Sequence, residues 1–144
     1  MIVKNFRYSR ESLDLKQREL TSLFYVTSST ISGWEIGKDT IPLKHLIKYA
    51  NEYGFSLDYL FGLKNKNEVY KPLKVNLELI GKNLRIIRKT NKLTQEEVAK
   101  ILNTGASSYA HYENARNLIP TTFLFALSKV YKDFSIDEIL GRKK

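Results

Sequence analysis

The chain contains no cysteine. A disulfide scaffold, thiol chemistry and any cysteine-ligated zinc or iron–sulfur site are therefore excluded. Histidine is almost as scarce, with only His45 and His111. Two imidazoles leave too little for a histidine-rich metal site, so neither a metal nor a cofactor is expected. No run of about 18 apolar residues occurs, and no membrane span is expected. The opening Met1-Ile2-Val3-Lys4-Asn5-Phe6-Arg7 turns polar too soon for a signal peptide, which points to a cytoplasmic protein. Paired carboxylates, a nucleophile with its base, a phosphate-binding glycine loop and metal-ligand spacing are all missing, so no enzyme is expected.

What is present is a core-forming composition with an excess of positive charge. Of the 144 residues, 42% are hydrophobic and 12% aromatic, which separates the chain from a disordered basic tail. Lys and Arg number 24 against 15 Asp and Glu, a net charge of +9. Such an excess suits a polyanionic partner, nucleic acid first, with a solvated basic surface as the plain alternative.

The sequence also repeats itself. A shift of 78 aligns Lys4 to Tyr53 with a second stretch without a gap. Asn5-Phe6-Arg7 falls on Asn83-Leu84-Arg85, Arg10 on Arg88, Gln17 on Gln95, Glu35 on Glu113 and Ile41-Pro42 on Ile119-Pro120. One inserted residue later, Phe55-Ser56-Leu57-Asp58 falls on Phe134-Ser135-Ile136-Asp137. The reading is a duplicated unit of about 60 residues, small for a domain but viable if helical. Residues 1–63 form the first unit, the polar and basic 64–76 a linker, and 77–144 the second unit. Thirteen extended residues reach at most about 40 Å.

Each unit reads as a string of short helices. Leu84, Ile87, Val98, Ile101 and Leu102 recur at helical spacing, as do Leu13, Leu15, Leu20, Leu23 and Phe24. Thr94-Gln95-Glu96-Glu97 and Ser135-Ile136-Asp137-Glu138 have the form of capping boxes, whereas Lys16 leaves the matching start in the first unit without one. Glu35 and Glu113 lie inside apolar runs, beside the core aromatics Trp34 and Tyr112, and a buried carboxylate needs a partner.

Leu93-Thr94-Gln95-Glu96-Glu97-Val98-Ala99 resembles the second helix of Cro/cI-type (XRE family, lambda-repressor-like) helix-turn-helix domains. Val26 to Lys38 resembles the third, recognition helix, and Ser108 to Asn114 a variant of it. The resemblance implies an all-α fold of two tandem five-helix domains. It implies structural ion pairs Arg10–Glu35 and Arg88–Glu113. It implies double-stranded DNA as the partner, with helix three in the major groove. On that basis Ser28, Ser29, Ser32 and Gly33 face bases in the first unit, and Ala106, Ser107, Ala110 and His111 in the second. Gln17, Thr27, Lys38, Gln95 and Arg116 meet phosphates. Serine hydroxyls discriminate bases weakly, so readout leans on phosphates, water and DNA shape.

The second unit departs from the pattern. Gly105 stands at the N-cap of its helix three. Ala115 replaces the glycine that follows, which leads us to expect a different backbone conformation there. Two functions follow from these observations. One is a sequence-specific transcriptional regulator, a repressor, acting as a homodimer or as a monomer with two reading heads. The other is a protein-binding regulator (an antitoxin, accessory factor or inhibitor) in which one domain serves dimerisation or partner docking. Lys, Asn, Ile and Tyr usage hints at an AT-rich bacterial, phage or mobile-element genome and a nucleoid-associated setting.

Overall fold

A computed structural model describes residues 1–143 and divides them into two compact units, Met1–Pro72 and Leu73–Lys143. The first holds α1 (Phe6–Ser12), α2 (Gln17–Phe24), α3 (Ser28–Ile36), α4 (Leu43–Tyr53) and α5 (Leu57–Leu60). The second holds α6 (Leu77–Thr90), α7 (Gln95–Ile101), α8 (Ala106–Glu113), α9 (Thr121–Ser128) and α10 (Ile136–Leu140). The described residues contain no strand, so the all-α, twice-five-helix architecture stands. None of the helices is long and apolar enough to cross a membrane.

Side chains at the helix starts satisfy backbone N–H groups that the helix itself leaves over. Thr94 Oγ1 accepts from the Glu97 N–H at 3.1 Å, and the Glu97 carboxylate accepts from the Thr94 N–H at 3.1 Å. Thr27, Ser56, Asn76 and Ser135 cap α3, α5, α6 and α10. Lysine has no acceptor, so at α2 only the return bond exists, from the Lys16 N–H to Glu19 Oε1 at 3.2 Å. Pro42 and Pro120 lead into α4 and α9 with φ near −60°, a value the ring already fixes.

The two cores fill the same frame with different side chains. In the first, Phe6 packs on Tyr49 with centroids 4.9 Å apart, and Phe24 packs edge-on to Trp34 at 5.5 Å. The Tyr49 hydroxyl shares a 2.7 Å hydrogen bond with Ser9 Oγ. In the second unit Leu84, Leu102 and Leu127 are buried at the positions of Phe6, Phe24 and Tyr49. Two members of the expected apolar stripes are not core: Leu13, beyond the end of α1, and Ile101, on the outer side of α7, are both exposed.

Two loops depart from expectation. Asn67 accepts from the Ser56 N–H at 2.7 Å and donates to the Gly54 carbonyl at 2.9 Å, which fastens the start of segment 64–76 to the first unit. Its extendable length is therefore shorter than thirteen residues. Ala115 keeps the left-handed backbone after all, with φ 61° against 85° at Gly37. The chain path into the next helix imposes that turn, and alanine bears a strain of roughly 1–2 kcal/mol to follow it.

Gly81 lets two helices meet backbone to backbone. A Cβ there would collide with the backbone carbonyl of Glu113, so α6 crosses α8 with its main chain almost touching. The first unit avoids the problem, since Val3 at the matching position precedes α1. We expect Gly81→Ala to destabilise the second unit by about 1–3 kcal/mol, as overpacking does. Urea unfolding of the full chain, followed by far-ultraviolet circular dichroism, measures it.

Candidate nucleic-acid interface

Each unit ties three helices together at one buried carboxylate. Arg10 Nε and Nη2 donate to Glu35 Oε2 and Oε1 at 2.7 and 2.8 Å, an in-plane fork. Its third nitrogen, Nη1, donates to the Leu15 carbonyl at 2.6 Å and closes the loop before α2. Gln17 Nε2 adds a bond to Glu35 Oε1 at 3.0 Å. The second unit repeats this: Arg88 to Glu113 at 2.7 and 2.9 Å, Arg88 Nη1 to the Leu93 carbonyl at 2.9 Å, and Gln95 to Glu113 at 3.1 Å. Burial alone would raise the Glu113 pKa. Hydrogen bonds from Arg88 and Gln95 outweigh it and hold the carboxyl below its ordinary 4.5.

A second arginine in each unit reaches the same carboxylate. Arg7 Nε lies 3.9 Å from Glu35 Oε1, and Arg85 Nε lies 3.5 Å from Glu113 Oε1. Sequence reasoning aligned these two residues without giving them a role. The signal was their recurrence three positions before the buried arginine.

The fork sets where the expected contact residues stand. Gln17 and Gln95 open α2 and α7, and each has one amide N–H committed to the buried glutamate. An amide carries two such hydrogens, so one remains to donate outward. Thr27 is spent partly on its cap, accepting from the Thr30 N–H at 3.2 Å. Ser29 stands exposed in the first turn of α3, with Ser28 and Ser32 half-buried. Gly33 is buried, its carbonyl accepts from the Asp39 N–H at 3.2 Å, and Lys38 and Asp39 lie beside it. Lys38 is exposed. In the second unit Ala106, Ser107 and Arg116 are exposed, and Ala110 and His111 are half-buried.

Between them these features place the first turn of α3, and again of α8, on the outside of a rigid three-helix junction. The sequence profile of the helix-turn-helix family matches residues 6–60 and again 84–139. The chain belongs to the XRE-type helix-turn-helix family. Among curated helix-turn-helix relatives, the uncharacterised HTH-type transcriptional regulator YobD of Bacillus subtilis is 41% identical over 58 residues, 40% of this chain and 51% of that protein. Antitoxin PezA of Streptococcus pneumoniae is 33% identical over 66 residues, 46% of this chain and 41% of that protein. The chain thus spans about half the length of these relatives or less. No solved structure matches it.

The helix-turn-helix frame should be acid-sensitive in a defined direction. A carboxyl whose folded pKa is depressed stabilises the fold fully above its unfolded value, here 4.5, and loses that contribution as pH falls through the lower folded value. Glu113→Gln leaves Arg88 buried without a counter-charge, and we expect a loss of about 3–5 kcal/mol at neutral pH. The variant should also lose part of the decline in stability expected of the parent as pH falls through 4.5 and below. Urea midpoints across that range test both.

Proposed function

We propose that the protein is a sequence-specific double-stranded DNA-binding transcriptional regulator that acts as a repressor in the bacterial cytoplasm. The observation that carries this reading is the repeated junction: in both units a buried Arg–Glu fork fixes the start of α2 or α7 and leaves the first turn of α3 or α8 exposed. Such a helix presents its N-terminal residues to base edges while flanking groups hold the phosphates. Ser28, Ser29 and Ser32 then face the groove in the first unit, with Gln17, Thr27 and Lys38 on the backbone. Ala106, Ser107, Ala110 and His111 take that place in the second, with Gln95 and Arg116 beside them. A homodimer would match the two-fold symmetry of most operators.

Lys38→Ala should weaken binding to every duplex alike and lower the slope of log affinity against log salt by about one. Ser29→Arg should instead change which sequence is selected from a random pool, because a guanidinium can grip guanine through two bonds. An unaltered salt slope in Lys38→Ala would rule out this docking of the first unit.

The similarity to an antitoxin favours one further reading, in which the second unit docks a protein. Ala106, Ala110 and the side-chain-free cap Gly105 give that unit a poorly discriminating surface. A full-length chain carrying Ser107→Glu with Arg116→Ala separates the two. Loss of duplex affinity by about tenfold or more assigns the second unit to DNA, and unchanged affinity assigns it to a partner.

A further inference from the structure

Tyr25 stands where neither backbone preference nor burial calls for a tyrosine. It ends α2 with φ 55° and ψ 44°, in the left-handed region. The matching residue of the second unit, Asn103, has the same φ of 55°, and asparagine tolerates it far better. The tyrosine ring gains no core contact in return, since the residue is 86% exposed. One thing does hold it: Lys48 Nζ lies 4.9 Å from the ring centroid, a cation–π contact that in turn fixes the ammonium.

Lys44 sits one turn before Lys48 on α4, and the two lysines, Tyr25, His45, Phe24 and Val26 line one open concavity. Neither lysine is paired with a carboxylate among the described residues. Their field is felt locally. The pKa of His45, which packs on Phe24 and Trp34, is lowered first by burial and then by Lys44 and Lys48. Tyr25 lies two residues before Thr27, the cap of α3, so this unneutralised charge borders the exposed end of the recognition helix. The second unit has Asn103, Thr122 and Ala126 at the positions of Tyr25, Lys44 and Lys48, with no charge at all.

We propose that Tyr25, Lys44 and Lys48 form a phosphodiester-binding site on the first unit, which grips the duplex backbone beside the bases that α3 faces. This rests on the DNA-binding reading above. The two ammonium groups supply the charge, and the phenol O–H supplies a directional donor to a phosphate oxygen. Lys48 on the ring keeps both in place, so little side-chain freedom is lost when the anion arrives. The second unit lacks the site, which makes the two units unequal in backbone grip.

The test uses the full chain and a fluorescent duplex of about 40 base pairs, with binding measured by anisotropy across a salt series. Lys44→Gln with Lys48→Gln should weaken binding by about tenfold or more and lower the salt slope by nearly two. Tyr25→Asn, which suits the left-handed backbone, should weaken duplex binding a few-fold, and Tyr25→Phe should reproduce most of that loss. A parent that binds duplex normally, with a salt slope unchanged in the lysine pair, overturns the site and leaves the DNA-binding reading intact. A parent with no salt-dependent duplex binding overturns both. If Tyr25→Asn impairs only a single-stranded probe of the same length, the ring stacks on bases and the phosphodiester assignment is wrong.

Discussion

Each unit is organised around a carboxylate taken out of water. Desolvating a glutamate and an arginine together costs several kcal/mol, and their attraction only about repays it. The pair is therefore a poor source of net stability. Its value is geometric. A guanidinium fork fits a carboxylate in one plane, and here the third nitrogen and a glutamine amide are added to the same point. Sliding α1 against α3 by a fraction of a turn would leave a charge buried without its partner. The junction is thus held by a penalty against every other arrangement, and the exposed turn of α3 inherits that rigidity.

With orientation set by the fork, the apolar interior can vary. Phe6, Phe24 and Tyr49 interlock in one unit, while Leu84, Leu102 and Leu127 fill the same places in the other. Ring edges are replaced by branched aliphatic chains, yet the helix order is the same. The price of divergence appears in the backbone instead. Gly81 is needed because α6 begins earlier than α1 and runs over α8. Ala115 bears a left-handed φ that its counterpart Gly37 adopts without strain.

Much of this was legible in the sequence because it is local or periodic. The duplication, the caps at Thr27 and Thr94, the helix count and the demand of Glu35 and Glu113 for a partner all follow from residue types at fixed spacing. What escaped is what depends on the path of the chain in space. That the segment after α3 folds back and sets Lys38 and Asp39 beside Gly33 is one such feature. Gln17 meets Glu35 across 18 residues, a relation no local pattern encodes. Asn67 is polar and lies in a polar stretch, and only the fold reveals that its amide staples Gly54 and Ser56. Leu13 and Ile101 fit an apolar stripe yet fall just past its edge.

Charge shows how far the two copies have moved apart. Residues 1–63 hold eight Lys and Arg against seven Asp and Glu, and residues 79–144 hold twelve against six. On and just after helix one the exchange is direct: Lys89 and Lys92 of the second unit stand at the sequence positions of Glu11 and Asp14 in the first. On helix four it runs the other way, with Lys44 and Lys48 against Thr122 and Ala126. Total charge therefore says little about where on each unit the positive groups stand. In the second unit Arg85 stays exposed while reaching Glu113 and Asn114, so part of its charge is met by the buried carboxylate. In the first unit the two lysines stand together, unpaired, beside the start of α3. An anion responds to the potential where it lands, within about a Debye length of 10 Å, rather than to the sum over the chain. By that measure Lys44 and Lys48 form a local positive site within a unit that is nearly neutral in sum.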